Sequence, residues 1–497
     1  MSRSGWIGGL AVLLIALGTA ATWLRCEGTP PEFTVSEEIR VGREPVEATL
    51  TAADADSGLR DIRIVLVHAD GEVSLLLRRF PGDPLRGGNR NPTSLNFSID
   101  AATHGLGDGN AVVEARARDW SWRNWLRGNE TLLRVPVLID RHAPRVSIQS
   151  NLTYVQRAGT AAVIYQVNEA TRRDGVQVAD TFFPSFPWPP AEAGAAKPVS
   201  TPPGDGAAET PSDASTAESP AEAPSNSGTS EPATLPSDLR AAGGRIALFA
   251  VPHDAPENSR IEVIAEDRVG NRGRASWPTR LQERQFQEER IQISEAFLGN
   301  VVPPLAEENN IQAADPVATF QEINQKLRRA NEARVRELTA HSSAIPLWEG
   351  AFVQWPNSKV TSHFAEHRTY WFQDQQISEA THFGYDLAAT TAAPVTATSR
   401  GRVLFAGPLG IYGNCVLIDH GLGVASLYGH LSRMDVAEGD MVNQGATLGL
   451  SGQTGLAGGD HLHFAILVSG VYVDPVEWWD PKWMREHIGA RLAPETP

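Results

Sequence analysis

The sequence predicts a mainly β, multidomain chain: an N-terminal membrane anchor, two β-sandwich units, a short helical segment and a C-terminal antiparallel β-sheet domain. Three observations lead there. Short runs alternate apolar and polar residues over most of the length, the period of strands with one face buried. The chain's 44 glycines and 34 prolines punctuate those runs, as tight turns require. A length of 497 residues exceeds what one hydrophobic core organises, so roughly three or four domains are expected.

Residues 1–28 are read as a signal anchor. A single cation, Arg3, precedes an uncharged run from Ser4 to Leu24, and about 20 apolar residues are what a helix needs to cross a bilayer. Trp6 and Trp23 flank the run where interfacial anchors sit. A cleaved signal peptide has a similar pattern and would release a secreted protein. Either way the body is exported, and the anchored form is expected in the cell membrane, single-pass, with its bulk in the periplasm or extracytoplasmic space. Arg25 stands before Cys26 where a lipidation box would hold a small residue, so Cys26 is not read as lipidated.

Residues 29–141 carry the first sandwich, with runs such as Glu47–Thr51, Ile62–Leu66 and Ala111–Ala115 between turn residues. Residues 142–278 carry the second. The two can be overlaid: Glu114–Asp119 followed by Asn124 parallels Glu262–Asp267 followed by Asn271. Both resemble the bacterial immunoglobulin-like domains of exported proteins, whose last strands carry a turn like Asp267-Arg-Val-Gly-Asn271. They are read as spacers, with cell-envelope protein partners as the other role. From about 184 to 244 the second unit is interrupted by Pro-, Ala-, Ser-, Glu- and Thr-rich sequence, too poor in large apolar residues to order itself.

Residues 279–344 form the helical segment, since Arg284–Ile293 and Phe320–Val335 place apolar residues three or four apart. It directly precedes the last domain and is placed to pack across its groove. Alternation then returns over 345–480, and 481–497 are a C-terminal tail. The net charge of −16 excludes a nucleic-acid binder, which needs a basic footprint. Two cysteines, Cys26 and Cys415, form neither a disulfide framework nor a C-x-x-C site.

Chemistry gathers at 345–480 in His382-x-x-x-Asp386, Tyr428-Gly-His430 and His461-Leu-His463. His461 and His463 are two apart in a strand-like run, so both imidazoles lie on one face of a sheet. Neutral imidazole and carboxylate suit Zn²⁺, which at catalytic sites takes three protein ligands and leaves a place for water. A water acidified to a pKa of about 7 then makes hydroxide available at neutral pH.

These motifs, with Ile418-Asp-His-Gly421, Gly439-Asp-x-Val442 and Gly452-x-Thr-Gly455 interleaved among them in that order, resemble the lysostaphin or LytM family of zinc endopeptidases over roughly 345–480. The resemblance implies His382, Asp386 and His463 as zinc ligands, and His430 and His461 as the residues that act on water, substrate and oxyanion. It implies hydrolysis of peptides in bacterial peptidoglycan cross-links. Ser362–Tyr370 resembles the family's Phe-Gly-x-Arg segment with Ala365 in the glycine place, which offers Arg368 as a substrate-groove residue; His363 and His367 receive no role. Asp460 and Ala465 stand where the family more often has Pro and Glu. Some relatives lose ligands and instead activate other wall hydrolases; the five positions intact here favour an enzyme over such a regulator. Val436–Gly445 resembles a biotin- or lipoate-carrying hairpin, but Leu450–Gly455 lacks the lysine such a carrier needs.

Overall fold

A computed structural model describes residues 19, 25–34, 38–189 and 239–492. No helix among them is long and apolar enough to cross a membrane. The anchor expected at 1–28 lies almost entirely outside the described residues. The chain divides into two compact units, Met1–Arg145 with Ala265–Gly273, and Val146–Ile264 with Arg274–Pro497.

In the first unit a three-stranded sheet (Glu32–Thr34, Val46–Ala53, Thr93–Ile99) and a five-stranded sheet (Ile39–Val41, Glu130–Ile139, Gly109–Asp119, Leu59–His68, Gly71–Arg79) share one core. Leu50, Leu95 and Phe97 enter it from one sheet, and Ile62, Leu66, Val113 and Val137 from the other. Alternate residues of Thr93–Ile99 are buried, as the two-residue period of a strand dictates. The predicted parallel between the Asp119 and Asp267 turns needs one correction. Asp267 accepts from the Asn271 side chain at 2.7 Å, whereas Asp119 accepts from Asn129 at 2.8 Å and not from Asn124. A left-handed turn at Asn124–Leu126, with φ between 51° and 65°, is inserted between Asp119 and Asn129, which displaces the partner along the sequence.

In the second unit two four-stranded sheets come first. Where the sequence predicts a disordered insertion at 184–244, Phe186–Pro187 and Gly243–Ala250 are neighbouring strands of one sheet. The ends are fastened by Asp174, fully buried, which accepts from the Tyr165 and Thr171 hydroxyls at 2.8 Å and from Arg240 at 3.2 Å. Residues 190–238 of that insertion lie outside the described residues.

Residues 279–344 are not helical throughout. Thr279–Gln282 and Glu288–Gln292 are strands, and the latter pairs in parallel with Glu366–Phe372, Ile291 facing Tyr370. Ile291 and Ile293 are two apart, a strand spacing, and a sheet edge whose paired residues lie 79 positions later in the chain overrides a helix-prone composition. Helices follow at Glu295–Asn300, Val302–Glu308, Pro316–Glu322 and Arg328–Leu338. Ser294 and Asp315 cap two of them, accepting from the amides of Phe297 and Ala318. The predicted tail is helical over Pro481–Leu492.

The C-terminal sheet orders Lys359–Ser362, Tyr385–Ala388, Leu462–Val468, Val424–Leu431, Asn414–Gly421, Gly401–Pro408 and Met441–Val442, with antiparallel pairing. Its two central strands, Leu462–Val468 and Val424–Leu431, are buried at every residue, so the site built on them has a rigid floor. The second sandwich packs on this domain within the same unit: Glu477 accepts from the Thr160 amide and the Gln156 side chain, both at 2.8 Å.

Candidate metal centre

The strand Gln375–His382, which pairs with Glu366–Phe372, ends at His382, and after Phe383-Gly384 the chain enters the C-terminal sheet at Tyr385–Ala388. That turn brings His382 and Asp386 to one point. The register then sets Asp386 opposite His463, and His463 opposite Gly429, next to His430. Gly384 is required for the close approach, since a Cβ there would lie 2.6 Å from the His463 ring. His430 adopts φ 64°, a left-handed conformation that costs a non-glycine residue about 1–3 kcal/mol and tends to persist where function demands it.

Three atoms converge. His382 Nε2, Asp386 Oδ1 and His463 Nδ1 are mutually 3.0 Å apart. His382 Nδ1 donates to the His363 carbonyl at 2.9 Å, so its Nε2 carries a lone pair toward the other two. His463 Nε2 is buried and has no hydrogen-bond partner, so Nδ1 is the ring nitrogen engaged with the other two residues. Three acceptors at this spacing, in residues that are buried or nearly so, repel unless a cation or protons lie among them. A two-imidazole, one-carboxylate donor set is what Zn²⁺ takes, so these residues fit the ion. The other such group among the described residues, Asp108, Asp140 and His142, is partly exposed on the first unit, where carboxylate–histidine contacts need no ion.

The remaining histidines stand beside the triangle. His430 Nδ1 donates to the Thr454 carbonyl at 2.8 Å, and His461 Nδ1 to the Gly459 carbonyl at 2.8 Å, with His461 Nε2 3.6 Å from Asp386 Oδ1. Both bonds fix the tautomer and turn Nε2 toward the cavity. Burial, together with the charges of His461 and His463, holds His430 well below the ordinary imidazole range. Burial acts the same way on His461, but the Asp386 carboxylate beside it and the Gly459 carbonyl carry it above that range. Burial brings His463 down to about 4. Asp386 is raised by burial, yet the charge of His382 and the hydrogen bonds that the neighbouring imidazoles offer once protonated hold it well below the usual carboxylate range.

All five residues singled out in the sequence line one cavity of about 300 Å³. Arg368 also lies in its wall, but its guanidinium is engaged with Asp386 Oδ2 at 3.1 Å and Glu366 Oε2 at 3.2 Å, behind the ligand set. Sequence reasoning missed Glu366, although it stands two residues from Arg368 on one strand and so shares its face. It also missed Tyr412, whose ring lies 5.5 Å from that of His463. The upstream segment, expected to pack across the groove, supplies Ile291, Phe297, Phe320 and Arg328 to the cavity wall. A wider groove of about 1040 Å³ shares Ser294, Phe297, Ala457 and Gly458 with the cavity.

Residues 380–475 match the model of Peptidase family M23. The DD-carboxypeptidase/endopeptidase Mpg of Neisseria meningitidis serogroup B is 44% identical over 95 residues, 19% of this chain and 22% of that protein. The peptidoglycan DD-endopeptidase ShyB of Vibrio cholerae serotype O1 is 32% identical over 133 residues, 26% of this chain and 30% of that one. The chain thus spans less than a third of the length of either relative. Among solved structures, a zinc containing peptidase from Vibrio cholerae is similar at 30% identity and TM-score 0.23, over 26% of this chain and 40% of the other.

Proposed function

We propose, on the premise that residues 380–475 are a peptidase M23 domain of LytM type, that the protein is a zinc-dependent endopeptidase hydrolysing peptide cross-links of bacterial peptidoglycan. The observation that carries this reading is the triangle of His382 Nε2, Asp386 Oδ1 and His463 Nδ1, 3.0 Å on each side, with His430 and His461 lining the same cavity. The names of the relatives, DD-carboxypeptidase/endopeptidase and peptidoglycan DD-endopeptidase, point to the cross-link peptide as substrate.

His382, Asp386 and His463 would hold the ion. Zinc bound there supplies Lewis-acid polarisation of the scissile carbonyl and acidifies a water toward neutrality. His430, kept neutral with Nε2 facing the cavity, takes the proton from the attacking water. His461, which keeps its proton more readily, steadies the developing oxyanion and passes a proton to the leaving amine. His430 and His463 are themselves buried, and the lower dielectric there strengthens the interactions they make.

The apolar run at 4–24 supports an anchor in the membrane with the bulk of the chain on the periplasmic side. The upstream sandwiches, read as immunoglobulin-like, then act as spacers or as sites for cell-envelope proteins.

The test is digestion of purified peptidoglycan by the full chain, with the released muropeptides identified by mass spectrometry. Cleavage within the cross-link, lost on chelation, restored by zinc and absent in His463→Ala, is the expected result. Absence of zinc binding, or cleavage that survives His463→Ala, would refute the reading. A protein that cleaves nothing yet stimulates a second wall hydrolase after chelation would be a regulator.

A further inference from the structure

A metal-binding carboxylate has a second oxygen, and inside a protein that oxygen needs a donor. For Asp386 the donor is Arg368, whose Nη2 lies 3.1 Å from Oδ2. The same nitrogen donates to Glu366 Oε2 at 3.2 Å. Glu366 Oε1 accepts the backbone amide of His363 at 2.7 Å. The carbonyl of His363 accepts from His382 Nδ1 at 2.9 Å. These four bonds run from one predicted ligand to the other through a single stretch of six residues, 363–368.

The local backbone explains how so short a stretch does this. Ala365 sits at φ 58°, a left-handed turn that glycine adopts most easily. Its amide donates to the His382 carbonyl at 2.7 Å, and the next residue, Glu366, registers directly opposite His382. Glu366 is only 4% exposed, and a carboxylate is buried to that degree only when paired. Its partners are the guanidinium and an amide, so its charge is matched and its orientation fixed. Glu289 Oε2, on the parallel upstream strand, lies 3.3 Å from Arg368 Nε but out of line for a hydrogen bond, since Nε has no hydrogen-bond partner.

We infer that Glu366 and Arg368 are positioning residues that fix Asp386 and His382 together as one preassembled half of the metal centre. Arg368 holds Oδ2 so that Oδ1 alone faces the other two donors. Glu366 holds both Arg368 and the backbone that carries the His382 acceptor. Without the guanidinium, two buried carboxylates would face each other, and mutual repulsion would turn Asp386 away. This rests on the zinc peptidase reading and assigns Arg368 a place behind the ligand instead of on the substrate.

The test uses the full chain and the variants Arg368→Ala, Arg368→Lys and Glu366→Gln. Zinc affinity is read by competition with a chromophoric chelator, the coordination geometry by the visible spectrum of the cobalt-substituted protein, and cleavage by kcat and KM separately. Outer-sphere partners of metal ligands typically contribute 10- to 100-fold to affinity. Arg368→Ala is expected to weaken zinc by about that factor, to alter the cobalt spectrum and to lower kcat with KM little changed. Glu366→Gln, which keeps an acceptor but loses the charge, and Arg368→Lys, which keeps the charge but loses the fork, are expected to fall between Arg368→Ala and wild type. If Arg368→Ala does not fold, those two conservative variants decide. Unchanged affinity and spectrum in variants of a wild type that binds zinc and cleaves would overturn the inference alone. A raised KM with unchanged zinc affinity would also overturn it and return Arg368 to the substrate. A wild type that binds no zinc would overturn both the inference and the function it rests on.

Discussion

The rings of His430 and His461 face each other with centroids 4.7 Å apart, and their surroundings drive their protonation in opposite directions. Burial and neighbouring histidines keep His430 neutral well below the ordinary imidazole range. For His461 burial is outweighed by Asp386, which holds the proton on above that range. Activity therefore requires a pH above the His430 titration and below that of His461. The profile of kcat/KM is expected to be a bell, with its acid limb below pH 6.5 and its alkaline limb above it. His430→Ala and His461→Ala should each lower kcat by about 10²–10⁴ while zinc stays bound. His461→Ala should in addition remove the alkaline limb. An alkaline limb that persists in His461→Ala would assign it to another group.

Two of the three ligand groups should stay ready for the ion in acid. Zinc binds deprotonated ligands, so protons compete for them. Asp386 lies well below the usual carboxylate range, and burial takes His463 down to about 4. Neither takes up a proton as pH falls through the range where a free histidine protonates. Histidine titration of the zinc-free protein followed by NMR is expected to show the His463 ring still neutral at about pH 5. A His463 ring that protonates near 6.5 would contradict the burial of the site.

How much of this was legible follows from which interactions are local. The spacing of two between His461 and His463 gives a shared face from strand geometry alone, and the two rings line one cavity. Glu366 and Arg368 have the same spacing and share a face, but only the fold shows that this face meets Asp386. At Arg284–Ile293 a residue mix rich in Gln, Glu and Arg reads as helix, because the strand's partner begins at Glu366 and nothing nearby in sequence announces it. The Asp119 turn hides its partner in a similar way. The repeat suggests Asn124 by distance from Asp119, whereas an inserted left-handed turn leaves the bond to Asn129.

Glu477 makes a second, separate pH dependence. Its carboxyl joins the helix Pro475–Trp479 to the second sandwich, accepting from Thr160 and Gln156, and burial pushes it up to about 8. The folded state thus holds this proton more tightly than the unfolded chain, whose carboxyl titrates near 4.5. Its contribution to stability is full below that value and is lost as pH rises toward 8, by up to about 1.4 kcal/mol per pH unit. Thermal unfolding of wild type is expected to weaken between pH 5 and 8 more than that of Glu477→Gln, where no proton can be lost. Glu477→Ala leaves the Thr160 amide without an acceptor and should cost about 1–3 kcal/mol. Equal slopes for wild type and Glu477→Gln would remove Glu477 as the cause.

Phe320 is fully buried and meets Tyr370 edge to face, with ring centroids 5.3 Å apart. Phe297 packs on its other side at 6.2 Å, and both phenylalanines line the cavity over the metal-site residues. The upstream strand adds backbone bonds, among them Ile293 N to the Trp371 carbonyl at 2.8 Å. A segment joined by strand pairing and by a buried aromatic cluster is part of the wall, so removing it exposes Tyr370 and leaves Glu366–Phe372 as an unpaired edge. Phe320→Ala should cost about 3–5 kcal/mol of stability. A chain beginning at 345 should melt at lower temperature and cleave peptidoglycan more slowly than the full chain. If the same segment acted instead as a cover over the groove, as its position in the sequence first suggests, the shortened chain would cleave faster. Comparing the two rates at one zinc concentration separates a wall from a lid.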